Sequence, residues 1–258
     1  MFSLTIYLHG FAVAAIAGFG TWLLSLKLRN VAIVDSLWSL MFLMMACTYA
    51  SGAPRLGQRA VLVLVLVTAW ALRLSIYITV RNWGHGEDRR YRAIRTRNEP
   101  NFAMKSLYLV FALQAVLAWV ISLPLLGSIL GSRAPGPLDI AGVAVWLVGF
   151  SFEAGGDWQL ARFKADPANQ GKVMDKGFWR FTRHPNYFGD FCVWWGFYLL
   201  AVSAGAWWSV GAPLVMSLLL MRVSGVTLLE KDIGKRRPQY ADYIRRTNAF
   251  FPGKLKPR

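Results

Sequence analysis

The chain has 258 residues, of which 55% are hydrophobic, and its mean hydropathy is +0.38. A soluble domain of this size carries more charge and shorter apolar runs, so the composition excludes an ordinary soluble protein. The formal net charge is +16, which must be carried largely by the connections between the apolar segments.

Apolar runs of about 20 residues, the length that crosses a bilayer core as a helix, recur along the chain. They predict seven membrane spans at approximately 4–26, 31–50, 58–80, 106–130, 137–160, 187–204 and 207–229. The first span lacks the basic flank and the small-residue cleavage site of a signal peptide, so we expect it to be retained. Lys and Arg concentrate in alternate connections and after the last span, which predicts an outside N-terminus and a cytoplasmic C-terminus.

The predicted fold is therefore an all-α, multi-pass integral membrane protein with one domain over residues 1–258. Cys47 and Cys192 fall in apolar spans and the three histidines are scattered, so neither a disulfide framework nor a metal site is expected. The basic connections are expected to contact anionic membrane lipids. Their number would also suit a polyanionic ligand on the cytoplasmic side.

Ionisable residues within spans are functional candidates, because burying a charge in the membrane is costly. Asp35 lies just inside span 2, and Trp38 follows it. In span 3, Trp70, Arg73 and Tyr77 are spaced to share one helix face. We expect a cavity open to the cytoplasm in which Asp35 stays protonated and donates a hydrogen bond to a carbonyl oxygen. The alternative is that Asp35, Arg73 and Arg222 pair to hold helices together.

The stretch RFTRHPNYFGDFCVWW at 180–195 places polar residues at the start of span 6. Pro185 is typical of a first helical turn, and the free N–H groups of a helix N-terminus favour anions. Asn186, Asp190 and Trp194 then fall one turn apart on one face. This pattern predicts a nucleotide-like cofactor, and the alternative is a basic anchor at the membrane surface.

Four segments of the chain resemble the steroid 5-alpha-reductase family, in its bacterial membrane branch. They are RNWGHGEDRRY (81–91), DWQLARFK (157–164), GFWRFTRHPNYFGD (177–190) and EKDIGKRRPQYADYIRRTNAFFP (230–252). The resemblance covers roughly residues 30–252. It implies a seven-helix reductase, with residues 137–258 forming most of the half that binds NADPH from the cytoplasm. The implied reaction reduces the carbon–carbon double bond of a 3-oxo-Δ4 steroid.

The resemblance also implies individual roles. Asp35 matches the family's catalytic Glu, with Trp38 expected beside the substrate. The family's catalytic Tyr aligns on Trp70, whose indole N–H cannot deliver a proton, so Tyr77 is the alternative partner. The implied cofactor-binding residues are Arg73, Asn82, Asp157, Lys164, Arg180, Arg183, His184, Asn186, Tyr187, Asp190, Trp194, Arg222, Glu230, Arg237, Tyr240 and Tyr243.

The implied partner is an apolar, steroid-like molecule that enters from the lipid phase, and no nucleic acid is expected. The expected location is the cytoplasmic membrane of a bacterium. The sequence leaves the oligomeric state open.

Two other interpretations remain. The motif RHPNYFG at 183–189 and Glu230 also fit membrane methyltransferases of the isoprenylcysteine and phospholipid types, which use S-adenosylmethionine. Asp35 and the 81–91 loop lie outside that shared block, and the many basic residues suit a phosphorylated cofactor better, which favours the reductase. The third interpretation is a lipid- or sterol-binding protein without catalysis, in which the polar residues only join helices.

Overall fold

The computed structural model describes residues 2–223, 226 and 240–254. No strand occurs among them, so the predicted all-α class is confirmed for this part of the chain. The described α-helices are α1 Leu4–Leu28, α2 Val34–Ser51, α3 Gln58–Asn82, α4 Arg89–Asn98, α5 Phe102–Ser106, α6 Leu113–Ile121, α7 Leu123–Leu130, α8 Pro137–Ala165, α9 Pro185–Ser203, α10 Gly211–Leu218 and α11 Tyr240–Arg246. A π-helical segment, Leu107–Ala112, joins α5 to α6, and another, Leu219–Val223, follows α10.

Several helical segments are long and apolar enough to cross a membrane, so the chain is a multi-pass membrane protein. By length and composition they are Leu4–Leu28, Val31–Ser51, Gln58–Asn82, Phe102–Ile121 and Pro137–Ala165. The apolar segment Trp207–Val223 is shorter. The count of seven spans and the orientation of the termini stay predictions.

The predicted fourth span, 106–130, is wrong as a single helix. The helical segment ends at Ile121, and α7 begins at Leu123. Pro124 has no N–H to donate to the Val120 carbonyl and its ring crowds the preceding turn, so the regular α-helical hydrogen bonding is interrupted here. Ser122 serves both sides of the break, because its N–H donates to the Ala118 carbonyl and its own carbonyl accepts from the Leu125 N–H, each at 2.9 Å.

The chain forms two compact units, and the single domain predicted over residues 1–258 stays a prediction. The first contains the residues up to Pro135 together with Ala201–Ser209, and the second contains Gly136–Leu200 and the described residues from Val210 onward. In the first unit, α2 and α3 run antiparallel. Hydrogen bonds fix their register, from the Ser39 hydroxyl to the Ala71 carbonyl at 2.8 Å and between the Thr79 and Ser36 hydroxyls at 2.9 Å.

In the second unit, α8 and α9 approach each other through paired glycines. A Cβ on Gly149 would lie 2.6 Å from the Gly189 carbonyl oxygen, and one on Gly142 would lie 3.0 Å from that of Gly196. Only residues without a side chain allow this backbone-to-backbone packing. The contact brings the polar C-terminal half of α8 beside the N-terminal turns of α9.

Candidate functional site

Asp35 accepts hydrogen bonds from two side chains in the first turn of α4. Arg90 Nη2 lies 2.8 Å from its Oδ2, and the Tyr91 hydroxyl lies 2.5 Å from its Oδ1. The Asp35 side chain, in the first turn of α2, is only 16% exposed. In this arrangement the Asp35 carboxyl group is an acceptor for a guanidinium and a phenol, and its role as a donor to a carbonyl oxygen stays a prediction.

The ring of Tyr91 is held in an apolar cluster of the first unit. The cluster includes Trp22, Val34, Phe102 and Phe111, and Tyr91 is 6% exposed. Gln114 Nε2 donates to the phenol oxygen at 3.1 Å. Burial, followed by the negative charge of Asp35, raises the pKa of Tyr91 well above its ordinary value of 10.0. The phenol therefore keeps its proton at neutral pH.

Asp88 fixes the position of Arg90. It is the N-cap of α4, and its Oδ1 accepts from the Arg90 backbone N–H at 2.8 Å and from Arg90 Nε at 3.0 Å. Burial acts to raise the pKa of Asp88, but the charge of Arg90 and these hydrogen bonds outweigh it and lower the pKa. One carboxylate thus starts the helix and directs the guanidinium toward Asp35.

A second ion pair joins the same region to the segment before α2. Glu87 accepts from Arg95 at 2.8 and 2.9 Å, and the Val31 N–H donates to Glu87 Oε1 at 2.9 Å. The Arg95 guanidinium also lies 4.6 Å from the centroid of the Phe102 ring. Burial acts to raise the pKa of Glu87, but the Arg95 and Val31 hydrogen bonds outweigh it and lower the pKa.

The predicted catalytic partners of Asp35 lie on α3. Trp70 is fully buried, with its ring centroid 5.8 Å from that of Phe42, two turns along α2 from Asp35. Tyr77 is half-buried, and the Arg81 guanidinium lies 5.7 Å from its ring centroid. Their catalytic roles stay predictions.

The other site residues predicted in this unit also lie on α2 and α3. Trp38 packs edge-on against Phe42, with centroids 5.3 Å apart. Arg73 is half-buried on α3, and Asn82 Oδ1 accepts from Arg81 Nε at 3.1 Å.

The second unit brings several predicted cofactor residues together where α8 meets α9. Asn186 Nδ2 donates to Asp157 Oδ1 at 3.2 Å, and Asp157 is 4% exposed. The rings of His184 and Tyr187 stack with centroids 5.7 Å apart. α9 begins at Pro185, as the sequence predicts. Asp190 and fully buried Trp194 continue the face of Asn186 along α9.

Two of the predicted cofactor residues hold the segment before α9 against the C-terminal residues. Arg183 is buried and its Nη1 donates to the carbonyls of Ile244, at 3.1 Å, and Thr247. The Tyr243 hydroxyl donates to the Trp179 carbonyl.

Backbone contacts extend this connection. The Arg183 N–H donates to the Asn248 carbonyl at 2.9 Å, and the Gly253 N–H donates to the Phe181 carbonyl at 3.0 Å. The Thr182 hydroxyl donates to the Phe250 carbonyl at 2.8 Å.

The remaining predicted residues of this unit are dispersed. Lys164 lies in the last turn of α8, Arg180 in a short 3₁₀ turn and Arg222 in the π-helical segment, all with exposed side chains. Tyr240 packs edge-on against Tyr243, with centroids 5.4 Å apart. Glu230 and Arg237 lie outside the described residues.

The chemistry of the second unit fits a dinucleotide. Asp157 and the half-buried Asn186 pair an acceptor with a donor, the groups that ribose hydroxyls need, and the half-buried Tyr187 ring, stacked on the buried His184 ring, offers an aromatic surface. The lysines and arginines around α8 and α9 supply the positive charge that phosphates require. Arg183 fits a phosphate less well, because carbonyl oxygens already accept from its Nη1.

Sequence reasoning assigned no role to Arg90, Tyr91, Glu87, Arg95 or Gln114. The RNWGHGEDRRY segment carries part of the family resemblance, and Tyr91 is its last residue, so the resemblance pointed to this region without giving Tyr91 a role. Its pairing with Asp35, 56 positions earlier, could not be read from helical spacing, because the two lie on different helices.

Comparison with known proteins gives a family and one relative. The profile of a family described as "Protein of unknown function (DUF1295)" matches residues 21–247. An uncharacterized protein of Schizosaccharomyces pombe is 25% identical over 278 aligned positions, which cover 95% of this chain and 79% of that protein. No solved structure matches the chain.

Proposed function

The chain belongs to the DUF1295 family, and we propose that it is a membrane reductase of the steroid 5-alpha-reductase type. Its substrate would be an apolar enone, best represented by a 3-oxo-Δ4 steroid, that enters from the lipid of a bacterial cytoplasmic membrane. The reaction would saturate the carbon–carbon double bond conjugated to the carbonyl, with NADPH as the reductant.

The observation that carries the proposal is the hydrogen bond between the Tyr91 phenol and Asp35, with Arg90 on the other carboxylate oxygen. Reduction of an enone places negative charge on its carbonyl oxygen and requires one proton. A phenol that is protonated at neutral pH can donate to that oxygen, and a nearby guanidinium stabilises the charge. We therefore assign the donor role to Tyr91 and a positioning role to Asp35.

The phenol can change acceptor without moving its ring. Rotation about its C–O bond turns the O–H from Asp35 toward a carbonyl oxygen. Gln114 continues to donate to the phenol oxygen, which polarises the O–H and strengthens it as a donor. Tyr91 would thus donate a hydrogen bond to the enolate oxygen that hydride transfer creates, and the α-carbon would take its proton from water to give the saturated ketone.

NADPH, when bound, supplies the hydride that reaches the β-carbon of the enone. Asp157 and Asn186 would hold its ribose hydroxyls, and Tyr187 with His184 would contact its flat rings.

The first test is cofactor binding by the purified protein in lipid nanodiscs. NADPH at about 100 times its Kd should stabilise the protein by roughly 2.7 kcal/mol in thermal denaturation. Consumption of NADPH should then depend on an added 3-oxo-Δ4 steroid and yield the saturated ketone, identified by mass spectrometry. Stabilisation by S-adenosylmethionine and not by NADPH would overturn the proposal in favour of a methyltransferase. The absence of any response to both would favour the non-catalytic interpretation.

A further inference from the structure

A cavity of about 320 Å³ lies in the second unit, between the C-terminal end of α8 and the loop that follows it. The side chains that decide its chemistry are Phe163, Lys164, Asp166, Asn169, Gln170 and Lys172. Lys172 belongs to none of the segments that resemble the reductase family, and no role was predicted for it. The cavity thus adds a basic residue to the region already assigned to the cofactor.

The walls of the cavity combine apolar and cationic surfaces. Leu160, Phe163 and Met174 supply apolar surface, while Lys164 and Lys172 supply two positive charges. A ligand with a flat apolar ring and an attached phosphate matches both surfaces. This combination describes the adenosine phosphate end of a nucleotide.

Asp166, the acidic residue among those that line the cavity, accepts hydrogen bonds within the loop. Asp166 Oδ1 accepts from the Ala168 N–H at 2.9 Å, and its Oδ2 accepts from Asn169 Nδ2 at 3.3 Å. Asn169 Nδ2 also donates to the Phe163 carbonyl, 3.1 Å away at the end of α8. These hydrogen bonds orient the Asp166 carboxylate, and its single negative charge is outnumbered by the positive charges of Lys164 and Lys172.

The backbone conformation of the loop fixes the position of the Lys172 Cα atom. Gly171 has a φ of +78°, a left-handed conformation that favours glycine, and the chain reverses there. The Lys172 N–H donates to the Asn169 carbonyl at 3.0 Å, which closes the turn. The ammonium group therefore extends from a turn anchored to the cavity wall.

We propose that this cavity binds the phosphorylated adenosine end of the cofactor, and that Lys172 determines the preference for NADPH over NADH. The two cofactors differ only in the 2′-phosphate on the adenosine ribose, which an ammonium group can bind as a point charge. Lys164 contacts the same end of the nucleotide, and Phe163 contacts the base. The inference rests on the proposed function for the identity of the whole ligand.

The test measures binding of two cofactor fragments to the full chain in nanodiscs. The fragments are adenosine 2′,5′-bisphosphate and adenosine 5′-monophosphate, which lacks the 2′-phosphate. Lys172→Ala should weaken binding of the bisphosphate by roughly 10- to 100-fold, the effect of one charged hydrogen bond, and leave the monophosphate unchanged. Lys172→Arg should restore most of the affinity for the bisphosphate.

Lys176→Ala is the matched control, because Lys176 is an exposed lysine of the same connection that does not line the cavity. It should change neither affinity. Equal losses for both fragments, or the same loss in Lys176→Ala, would show only a general charge effect and overturn the proposal. Failure of the wild type to bind the bisphosphate would also overturn it, even if NADPH binds elsewhere and the reductase stands. If Lys172→Ala loses bisphosphate binding but the wild type reduces no enone, the proposed role of the cavity would be supported and the proposed reductase activity would be contradicted.

Discussion

The region after α3 contains two ion pairs of similar geometry, and they differ in what else their carboxylates touch. Arg90 lies 2.8 Å from Asp35, and Arg95 lies 2.8 Å from Glu87. The Glu87 carboxylate also accepts from the Val31 backbone N–H, a group that keeps its proton. The Asp35 carboxylate instead accepts from the Tyr91 phenol, a hydroxyl that can rotate and donate to another acceptor.

This difference in acceptor contacts indicates a structural role for the Glu87 pair and a role in the proposed reaction for the Asp35 pair. The Glu87 pair joins the loop to the start of the second membrane-spanning segment, and the Arg95 guanidinium stacks over Phe102. The Asp35 carboxylate accepts from a protonated phenol, and the oxygen of that phenol accepts from Gln114. Changes at the Asp35 pair should therefore appear in turnover, and changes at the Glu87 pair should appear in stability.

Tyr91→Phe should have the largest effect. It removes the donor and keeps the ring in its apolar cluster, so turnover of the enone should fall by about 10²- to 10⁴-fold with little change in NADPH affinity. Steady-state consumption of NADPH measures the first quantity and thermal shift the second. Tyr108→Phe, at a phenol that is 59% exposed, is the control and should leave turnover unchanged. Wild-type turnover in Tyr91→Phe would remove Tyr91 from the mechanism.

Asp35→Asn should have a smaller effect on turnover. The amide can still accept from Tyr91, but it removes one of the two carboxylates that pair with Arg90 and leaves only Asp88, so the phenol is less well positioned. NADPH binding should stay nearly intact. A loss in turnover larger than that of Tyr91→Phe would contradict the assignment and return the donor role to Asp35.

Glu87→Gln should lower stability without lowering the turnover of the folded enzyme. The Glu87 side chain is 8% exposed, but Arg95 is 31% exposed, so the loss should be about 1–3 kcal/mol, below that of a fully buried pair. Thermal denaturation in nanodiscs measures it. A fall in turnover per folded molecule, with unchanged stability, would show that the two pairs are not functionally distinct.

Acid should weaken the Glu87 pair gradually, which is the smallest effect. The pKa of Glu87 is lowered in the folded protein, so its contribution to stability is present above the ordinary value of 4.5 and is lost as the pH falls through the lowered pKa. Thermal stability should therefore decline in the wild type below about pH 4.5. The decline should be shallower in Glu87→Gln, and equal slopes would contradict this account.

The sequence predicted the helical class, the membrane character and most helix positions, because apolar runs and proline positions are local signals. The start of α9 at Pro185 and the grouping of Asp157 with Asn186 follow from such signals together with the family resemblance. The break at Ser122 was missed although Pro124 marks it, because the apolar run continues through it.

The partner of Asp35 was beyond sequence reasoning for a different reason. Helical spacing relates residues on one helix, which directed attention to Trp70 and Tyr77 on α3. Tyr91 contacts Asp35 because an apolar cluster from several helices fixes its ring. Such tertiary packing produces no periodic pattern in the sequence. The role of Arg183 was equally hidden, since its acceptors are backbone carbonyls that any sequence supplies.

The contacts between residues 181–183 and 248–253 also have a consequence for biosynthesis. The Thr182 hydroxyl and the Ala249 carbonyl are 67 positions apart, so the segment before α9 is synthesised well before its partners. During translation, the backbone before α9 and the Arg183 guanidinium cannot form their hydrogen bonds to the C-terminal carbonyls until those residues have been synthesised. These contacts can therefore form only after residues 248–253 have been synthesised, and a chain shortened before Asn248 should lack them.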